Sequence, residues 1–229
     1  MRDDITSIPV SEVFDPKEGC PICRMRDRLE ERVVEYITGA AMMEPDVREE
    51  TNKQGFCITH YRQMLKRRNR LGVALMLESH LAETEKRVFA GLPLVGKRAG
   101  KQAKSAEKSA DSCFVCSQVE WGMERMLATV CRLYEQQKDF RTLFSEQEYL
   151  CLPHFSRLAI PAGGMDKRWQ QEFLKAASAL SRKYITELRH DVHHFTEMFD
   201  YRNNGEDADW GNAKDSIERA VEYLTSREP

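Results

Sequence analysis

Eight cysteine and histidine residues recur in two spacings that are typical of metal ligands. Cys-x-x-Cys occurs as CPIC at 20–23 and as CFVC at 113–116, and Cys-x-x-His occurs as CITH at 57–60 and as CLPH at 151–154. Thiolate and imidazole are donors that Zn²⁺ favours, and two ligands separated by two residues span one edge of a tetrahedral site. The predicted ligands are Cys20, Cys23, Cys57, His60, Cys113, Cys116, Cys151 and His154.

The distances between these motifs indicate a duplicated unit. Cys113 follows Cys20 by 93 residues, and Cys151 follows Cys57 by 94. We therefore expect two ligand quartets taken in chain order, one from residues 20–60 and one from residues 113–154. Three thiolates and a neutral imidazole fill all four positions of a tetrahedral ion, which is the closed arrangement of a structural site and leaves no position for an activated water.

Zinc at two sites is the predicted cofactor, with two alternatives left open. Three cysteines and a histidine can also hold an iron–sulfur cluster, and thiols at this spacing can act as a redox switch. The chain has seven cysteines, an odd number, and a reducing compartment disfavours structural disulfides. Cys131 lies outside both quartets in the helical stretch CRLYE, so we expect it to be a small core residue.

The composition indicates an ordinary globular chain. Of the 229 residues, 41% are apolar and 31% are charged, which favours neither disorder nor a membrane span. The first residues, MRDDITSIPVSEVF, lack the layout of a signal peptide, so we expect a cytoplasmic protein. The net charge of −2 gives no general attraction to nucleic acid, and the basic stretch KRRNR at 66–70 is read as the solvated end of a helix.

Apolar residues at intervals of three and four predict an all-α fold built from two tandem helical units, each pinned by a Cys3His site. After Cys23 the stripe contains Met25, Leu29, Val33, Ile37 and Ala40, and after Cys116 it contains Val119, Met123, Met126, Val130 and Leu133. Short segments with Asp-x-Arg follow at 44–48 and 137–141, and each Cys-x-x-His begins a further helix. A long helix closes each unit, with Leu71, Leu75, Leu81 and Val88 in the first and residues from Trp169 to Phe199 in the second.

Composition also predicts the domain boundaries. Residues 1–90 form the first helical metal-binding unit and residues 113–200 form the second. Between them, residues 91–112 are rich in lysine, alanine, serine and glycine, which is typical of a flexible linker. Residues 201–229 form a tail whose final short helix is amphipathic, with Ile217, Val221 and Leu224 on one face.

A weaker group of possible ligands lies in the late helix. Glu187, His190, His194 and Glu197 share one helical face, and Glu187-x-x-His190 matches the pair that ferritin-like bundles use for two metal ions. His80 and Glu83 repeat the His-x-x-Glu spacing in the first unit. No second Glu-x-x-His occurs in the chain, so we expect an exposed polar stripe rather than a site.

Several motifs together resemble one known family. CPIC, PDVREE, GFCITHY and RLGVALMLESHL, followed by CFVC and CLPHF, look like an uncharacterised bacterial family known only as a domain of unknown function. The similarity covers roughly residues 13–200. The resemblance implies a helical, metal-binding protein and carries no named activity.

These observations favour a binding role over a catalytic one, because the sequence offers no convincing nucleophile, phosphate loop or general acid–base pair. We expect a zinc-stabilised binding or accessory protein whose partner is another protein, without a nucleic-acid or membrane role. The alternative is an iron–sulfur or thiol redox protein, or a factor that handles a metal cofactor. A third hypothesis is an enzyme with a pocket near His80 or His190.

Overall fold

The computed structural model describes residues 10–89, 97–200 and 208–226, and every regular element in these ranges is helical. The all-α prediction is therefore confirmed for the described part of the chain. The α-helices are α1 (Val10–Phe14), α2 (Pro21–Thr38), α3 (Pro45–Gln54), α4 (Ile58–Lys66), α5 (Arg70–Thr84), α6 (Lys97–Asp111), α7 (Phe114–Gln136), α8 (Lys138–Ser145), α9 (Leu152–Ala162), α10 (Lys167–Glu197) and α11 (Ser216–Thr225). A 3₁₀ turn covers Ala40–Met43, and a π-helical turn covers Glu85–Phe89.

The compact units of the structure are assembled from separate stretches of sequence. Residues 27–123 belong to unit 1, and residues 8–26 and 124–229 belong to unit 2, so far as they are described. The division falls within α2, between Arg26 and Asp27, and within α7, between Met123 and Glu124. The Cys-x-x-Cys at the start of α2 therefore belongs to unit 2, whereas the rest of α2 belongs to unit 1. The Cys-x-x-Cys at the start of α7 belongs to unit 1, whereas the end of α7 belongs to unit 2.

Unit 1 has a core formed by the second half of α2, the loop before α4, α4 and α5, and the start of α7. Val33 and Ile37 from α2 and Met64 from α4 are fully buried, and Phe56 and Phe114 pack with them. The two phenylalanine rings lie 6.4 Å apart at their centroids in an edge-on arrangement. The core thus begins directly beside Cys57 and Cys113.

Unit 2 has an aromatic core. Phe14 of α1 lies 5.1 Å from Phe140 and 6.0 Å from Phe144, both on α8. Phe144 also contacts Tyr134 of α7 and Phe173 of α10, with ring centroids 5.3 Å and 5.1 Å away. Residues 10–26 therefore belong to the same unit as the described residues after Met123.

The buried stripes agree with the sequence in α2 and differ in α5. Met25, Leu29, Val33 and Ile37 are all fully buried. In α5, Leu71 and Leu81 are 72% and 63% exposed, and Val73 and Met76 are buried instead. This helix carries apolar residues on more than one face, so its periodicity alone does not determine which face packs inward.

The predicted linker and the predicted tail both contain helices, and a short helix was expected only in the tail. The predicted linker contains α6, which is rich in alanine and lysine, residues with high helix propensity. In the predicted tail, α11 packs within unit 2: Tyr223 is buried and lies 5.6 Å from Tyr184 of α10. Ile217, Val221 and Leu224, predicted to share an apolar face, are exposed by 36% to 53%. Residues 1–9, 90–96, 201–207 and 227–229 lie outside the described residues.

The two Asp-x-Arg segments use their arginines to hold helices in place. Arg48 donates to the carbonyl of Leu75 (2.9 Å) and to the hydroxyl of Ser79 (2.7 Å), which ties α3 to α5. Arg141 donates to the carbonyl of Tyr134 at the end of α7 (2.8 Å). The hydrogen bonds of both arginines thus satisfy main-chain carbonyls.

None of the helices in the described part of the chain is both long and apolar enough to cross a membrane.

Gly55, which precedes Cys57 by two residues, has a conformation that only glycine adopts readily. Its φ is 63° and its ψ is −156°. A Cβ at this position would lie 2.6 Å from Nε2 of His80. We expect Gly55→Ala to lower the free energy of unfolding by about 1–3 kcal/mol from backbone strain alone, and further because His80 must move. Urea unfolding followed by circular dichroism measures the change.

Gly100 in α6 provides the matched control, since nothing lies within 4 Å of a Cβ built there. Gly100→Ala should raise the free energy of unfolding slightly, by about 0.4–1 kcal/mol. Equal stability of the Gly55→Ala protein and the parent would contradict the strain argument.

Candidate metal centre

The structure gathers the eight predicted ligands into two groups of four, but not in the order of the sequence. The unit-1 cluster consists of Cys57, His60, Cys113 and Cys116, and the unit-2 cluster consists of Cys20, Cys23, Cys151 and His154. Within each group the sulfur and nitrogen atoms all lie within 4.8 Å of one another. The expectation of quartets 20–60 and 113–154 was therefore wrong, because each Cys-x-x-Cys meets the Cys-x-x-His of the other repeat.

The unit-2 cluster is deeply buried. The exposed fraction is 2% for Cys20, 8% for Cys23, 0% for Cys151 and 2% for His154. The Sγ atoms of Cys23 and Cys151 are 3.7 Å apart, and Nδ1 of His154 lies 3.7, 3.3 and 3.1 Å from the sulfurs of Cys20, Cys23 and Cys151. Every donor atom therefore points to one common centre.

The unit-1 cluster has the same donor set but is more open. Nδ1 of His60 lies 3.1 Å from the sulfur of Cys57, 3.2 Å from that of Cys113 and 3.5 Å from that of Cys116. The sulfurs of Cys57 and Cys116 are 4.0 Å apart. His60 and Cys113 are buried, whereas Cys57 is half-buried and Cys116 is exposed. One edge of this tetrahedron is therefore accessible to solvent.

Helix termini position the ligands in both clusters. Cys57 and Cys151 are the N-cap residues of α4 and α9, and the histidine follows in the first turn of each helix. The Cys-x-x-Cys pairs lie at the starts of α2 and α7, where the N–H of Cys116 approaches the sulfur of Cys113 at 3.5 Å. Free N–H groups and the helix dipole at such ends favour a thiolate.

Hydrogen bonds in unit 1 bring the two motifs together. The N–H of Phe114 donates to the carbonyl of Gly55 (2.9 Å). The hydroxyl of Ser112 donates to the carbonyl of Gln54 (2.6 Å), and that of Ser117 donates to Oε1 of the same residue (2.8 Å). The start of α7 is thus fastened to the loop that ends in Cys57.

Different side chains perform the same task in unit 2. Gln147, in the turn before Cys151, donates to the carbonyl of Phe14 (2.7 Å). Arg24, directly after Cys23, donates to the carbonyl of Val13 (3.0 Å) and to Oε1 of Gln147 (3.3 Å). These bonds join α1 and the start of α2 to the turn that carries the Cys-x-x-His.

Glu30 is a functional residue that the sequence analysis missed. Its Oε1 lies 2.7 Å from Nε2 of His60, whose side chain is 4% exposed against 17% for the carboxylate. A carboxylate that accepts a hydrogen bond from Nε2–H of a ligand histidine fixes the tautomer, so that the lone pair of Nδ1 is free to coordinate a metal ion. The same hydrogen bond makes the imidazole a stronger electron donor to the metal. Glu30 precedes His60 by thirty residues, so no local pattern links the two.

Without metal, each cluster holds one acidic thiol and at least one thiol that resists ionisation. Burial raises the pKa of Cys113, but hydrogen bonds from His60 and from the N–H of Cys116 outweigh it and lower the pKa to about 6. Burial raises the pKa of Cys116 to about 12, with the charge of Cys113 adding to the effect. Burial lowers the pKa of His60, but hydrogen bonds to Cys113 and Glu30 raise it to about 10.

The unit-2 cluster repeats this arrangement. Burial works against ionisation of Cys20, but hydrogen bonds from Cys151, Cys23 and His154 leave its pKa well below the usual value. The hydrogen bond to Cys20 is the main cause that raises the pKa of Cys151 to about 12. Cys20 and Cys113 are equivalent in the two repeats. A metal ion must therefore displace a proton from Cys116 in the unit-1 cluster and from Cys151 in the unit-2 cluster, so its affinity increases with pH.

The donor types and distances of both clusters fit a tetrahedral metal ion. Zinc–sulfur bonds of about 2.3 Å set neighbouring sulfurs about 3.7 Å apart, close to the 3.7 Å and 4.0 Å found here. Three sulfurs and one imidazole nitrogen leave no open position on a four-coordinate ion. The arrangement can hold helices together, and it offers no site at which a metal-bound water could act.

The weaker group of histidines and carboxylates does not form a third cluster within the described residues. His190 is exposed, and its closest carboxylate is Asp191 at 4.0 Å. His194 approaches the carbonyl of Asp209 (2.9 Å), and Glu197 lies 3.9 Å from its other nitrogen. Nδ1 of His80 lies 2.8 Å from the carbonyl of Asn52, so this ring connects α5 to α3. Neither Glu83 nor Glu187 joins a group of potential ligands.

Cys131, outside both clusters, is a buried residue of α7 with 3% exposure, as predicted. Burial raises its pKa to about 12, with a contribution from Glu135. A thiol in this environment is protonated and inert.

Comparison with known proteins gives one match. No curated protein and no solved structure is significantly similar to the chain. A family profile described as "Family of unknown function (DUF6062)" matches residues 1–229, the whole chain. The residues that carry the two clusters all lie within the matched range. This helical chain with two Cys3His clusters therefore belongs to the family of unknown function DUF6062.

Proposed function

We propose that the chain is a zinc-stabilised helical binding protein, in which two structural zinc ions fasten helix ends so that its surface can recognise another protein. The observation that carries the proposal is the closed set of four donors in each cluster. A closed tetrahedral site contributes to folding rather than to catalysis. The remainder of each unit is a helical core with the ligands at its margin.

The distances favour a single ion over an iron–sulfur cluster. All four donor atoms of each group lie within 4.8 Å of one another, and the Cys23–Cys151 and Cys57–Cys116 sulfur–sulfur distances are 3.7 Å and 4.0 Å. A single tetrahedral ion needs edges of about that length. An iron–sulfur cluster places several iron atoms between its cysteine ligands and would hold the sulfurs further apart.

Exposed apolar side chains beside the clusters support a protein partner. Ile58 and Leu152, which follow the ligands Cys57 and Cys151 in the two repeats, are 64% and 47% exposed. Single exposed apolar residues are common on protein surfaces, so the proposal rests on the recurrence of an exposed apolar side chain at the same position of both repeats. All seven cysteines are free thiols, which fits a reducing compartment such as the cytoplasm. A photo-crosslinking amino acid at Ile58 should capture a partner that the same group at the exposed Lys104 does not.

Metal analysis tests the proposed cofactor. Protein purified without oxygen should contain two zinc ions per chain, one for each cluster, by plasma mass spectrometry, and should show no visible absorbance band. Removal of zinc by a strong chelator at neutral pH should lower the helical signal in circular dichroism, because the metal-binding free energy contributes to folding. A brown protein that contains iron and sulfide would instead support an electron-transfer or sensing role.

Double variants test the pairing of the motifs. Cys57→Ser with Cys113→Ser removes two ligands from the unit-1 cluster, so the protein should retain the one ion of unit 2. Cys20→Ser with Cys57→Ser removes one ligand from each cluster, so the protein should lose both ions. Quartets taken in sequence order would reverse these two results. Metal per chain after gel filtration is the measurement, and loss of both ions in both proteins would contradict two independent sites.

Glu30 provides a test of the support around His60. Glu30→Gln removes the charge that faces Nε2, so we expect the unit-1 cluster to bind zinc about tenfold more weakly, as measured by competition with a chromogenic chelator. The neighbouring Glu31→Gln is the matched control, because that side chain is 71% exposed and faces Arg67. Equal affinities in both proteins would remove the supporting role assigned to Glu30.

A further inference from the structure

The two clusters differ in how far their sulfurs are accessible from solvent. In the unit-2 cluster the three cysteines are between 0% and 8% exposed. In the unit-1 cluster Cys113 is 7% exposed, but Cys57 is half-buried and Cys116 is exposed. The donor sets are identical, so the difference in access comes from the surrounding residues.

An aromatic cover accounts for the closure of unit 2. Tyr149, two residues before Cys151, is 3% exposed and stacks on Tyr184 of α10 with ring centroids 3.8 Å apart. Tyr223 of α11 lies 6.0 Å from the Tyr149 ring. A Cβ at Gly19, beside Cys20, would lie 3.9 Å from the Tyr149 hydroxyl, so this ring lies next to the ligand loop.

The described residues of unit 1 provide no such cover, because the residue equivalent to Tyr149 is Gly55, which has no side chain. The residue after Cys57 is Ile58, which projects into solvent. The open edge of the unit-1 cluster is therefore the line between the sulfurs of Cys57 and Cys116, which are 4.0 Å apart. A small reagent can reach both sulfurs at this edge.

We propose that Cys57 and Cys116 form a peroxide-sensitive pair whose oxidation to a disulfide releases the metal ion of the unit-1 cluster, while the unit-2 cluster keeps its ion. This inference rests on the proposed function, since it requires an ion in each cluster. It assigns unit 1 a second role, as a thiol site that responds to peroxides. The pairing follows from access and from the short distance between the two sulfurs.

Oxidation of Cys57 and Cys116 to a disulfide requires one molecule of hydrogen peroxide and no other oxidant. The exposed Cys116 sulfur attacks one peroxide oxygen, so an S–O bond forms, the O–O bond breaks and hydroxide leaves. The Cys57 thiolate then attacks the resulting sulfenic acid, an S–S bond forms and a second hydroxide leaves. The two thiolates lose two electrons, peroxide gains them, and the two hydroxides take protons from solvent to give water.

The loss of two thiolates explains the release of the ion. The distance between the two sulfurs must fall from 4.0 Å to about 2.05 Å, the length of a disulfide bond. Both sulfurs then cease to be anionic donors. Only Cys113 and His60 remain, which is half of the ligands that a tetrahedral ion needs. Reduction by a dithiol, with metal supplied, should restore the site.

Peroxide treatment of the metal-loaded parent protein tests the proposal. Metal content is measured first, and two ions per chain establish the starting state. After hydrogen peroxide is added, a metal-binding dye should report the loss of one of the two ions. Peptide mapping without reductant should locate a disulfide between Cys57 and Cys116, with Cys20, Cys23 and Cys151 still open to alkylation after denaturation. Dithiothreitol and fresh metal should bring the content back to two.

Two variants separate the clusters. The Cys151→Ser protein should keep only the unit-1 ion and should lose it to peroxide, and the Cys57→Ser protein should keep only the unit-2 ion and should retain it. Cys131→Ser is the control for the remaining cysteine and should behave like the parent.

The outcomes distinguish this inference from the proposed function. A parent protein without bound metal would overturn the zinc proposal itself. A protein with two ions that loses both together, loses the unit-2 ion first, or loses neither would leave the zinc proposal intact and overturn the inference. Loss of one ion with a disulfide other than Cys57–Cys116 would likewise overturn it.

Discussion

A Cys-x-x-Cys motif supplies two of four ligands, and the need for two more determines which distant parts of the chain must meet. In this protein the other two come from the opposite repeat, so Cys23 reaches Cys151 across 128 residues and Cys57 reaches Cys116 across 59. Closure of a longer loop adds only about 0.6 kcal/mol for each doubling of its length. The cost of exchanging partners is therefore small beside the energy of metal–ligand bonds, and contacts near the ligands can decide the pairing.

Much of the architecture could be predicted from local patterns. The ligand types, the placement of Cys57 and Cys151 at helix starts, and the buried stripe of α2 all depend on residues within a few positions of one another. The pairing of each Cys-x-x-Cys with its Cys-x-x-His could not be predicted in this way, because both repeats contain the same two motifs and the spacing is compatible with either partner. It depends on tertiary contacts such as the bond from the Phe114 N–H to the Gly55 carbonyl.

Predictions of burial failed where a helix carries apolar residues on several faces. Leu71 and Leu81 of α5 are exposed, whereas Val73 and Met76 of the same helix are buried. In α11 the contacts are made by Tyr223 and by Arg219, which lies 3.1 Å from Asp191. Glu30 was missed for a related reason, since a carboxylate in a charged helix has no local mark that separates it from exposed neighbours such as Glu31.

Exchanged ligands also impose an order on assembly during synthesis. Cys20 and Cys23 emerge from the ribosome together with Cys57 and His60, and these four residues have the donor types of a complete site. Cys151 and His154, the native partners of Cys20 and Cys23, follow Cys57 and His60 after another 94 residues, which takes about 5–20 s at ordinary rates of synthesis. An ion bound early by residues 20–60 must therefore change ligands. The hydrogen bonds from Arg24 to Gln147 and from Gln147 to the carbonyl of Phe14 require the later segment, so they form only in the final arrangement and favour that exchange.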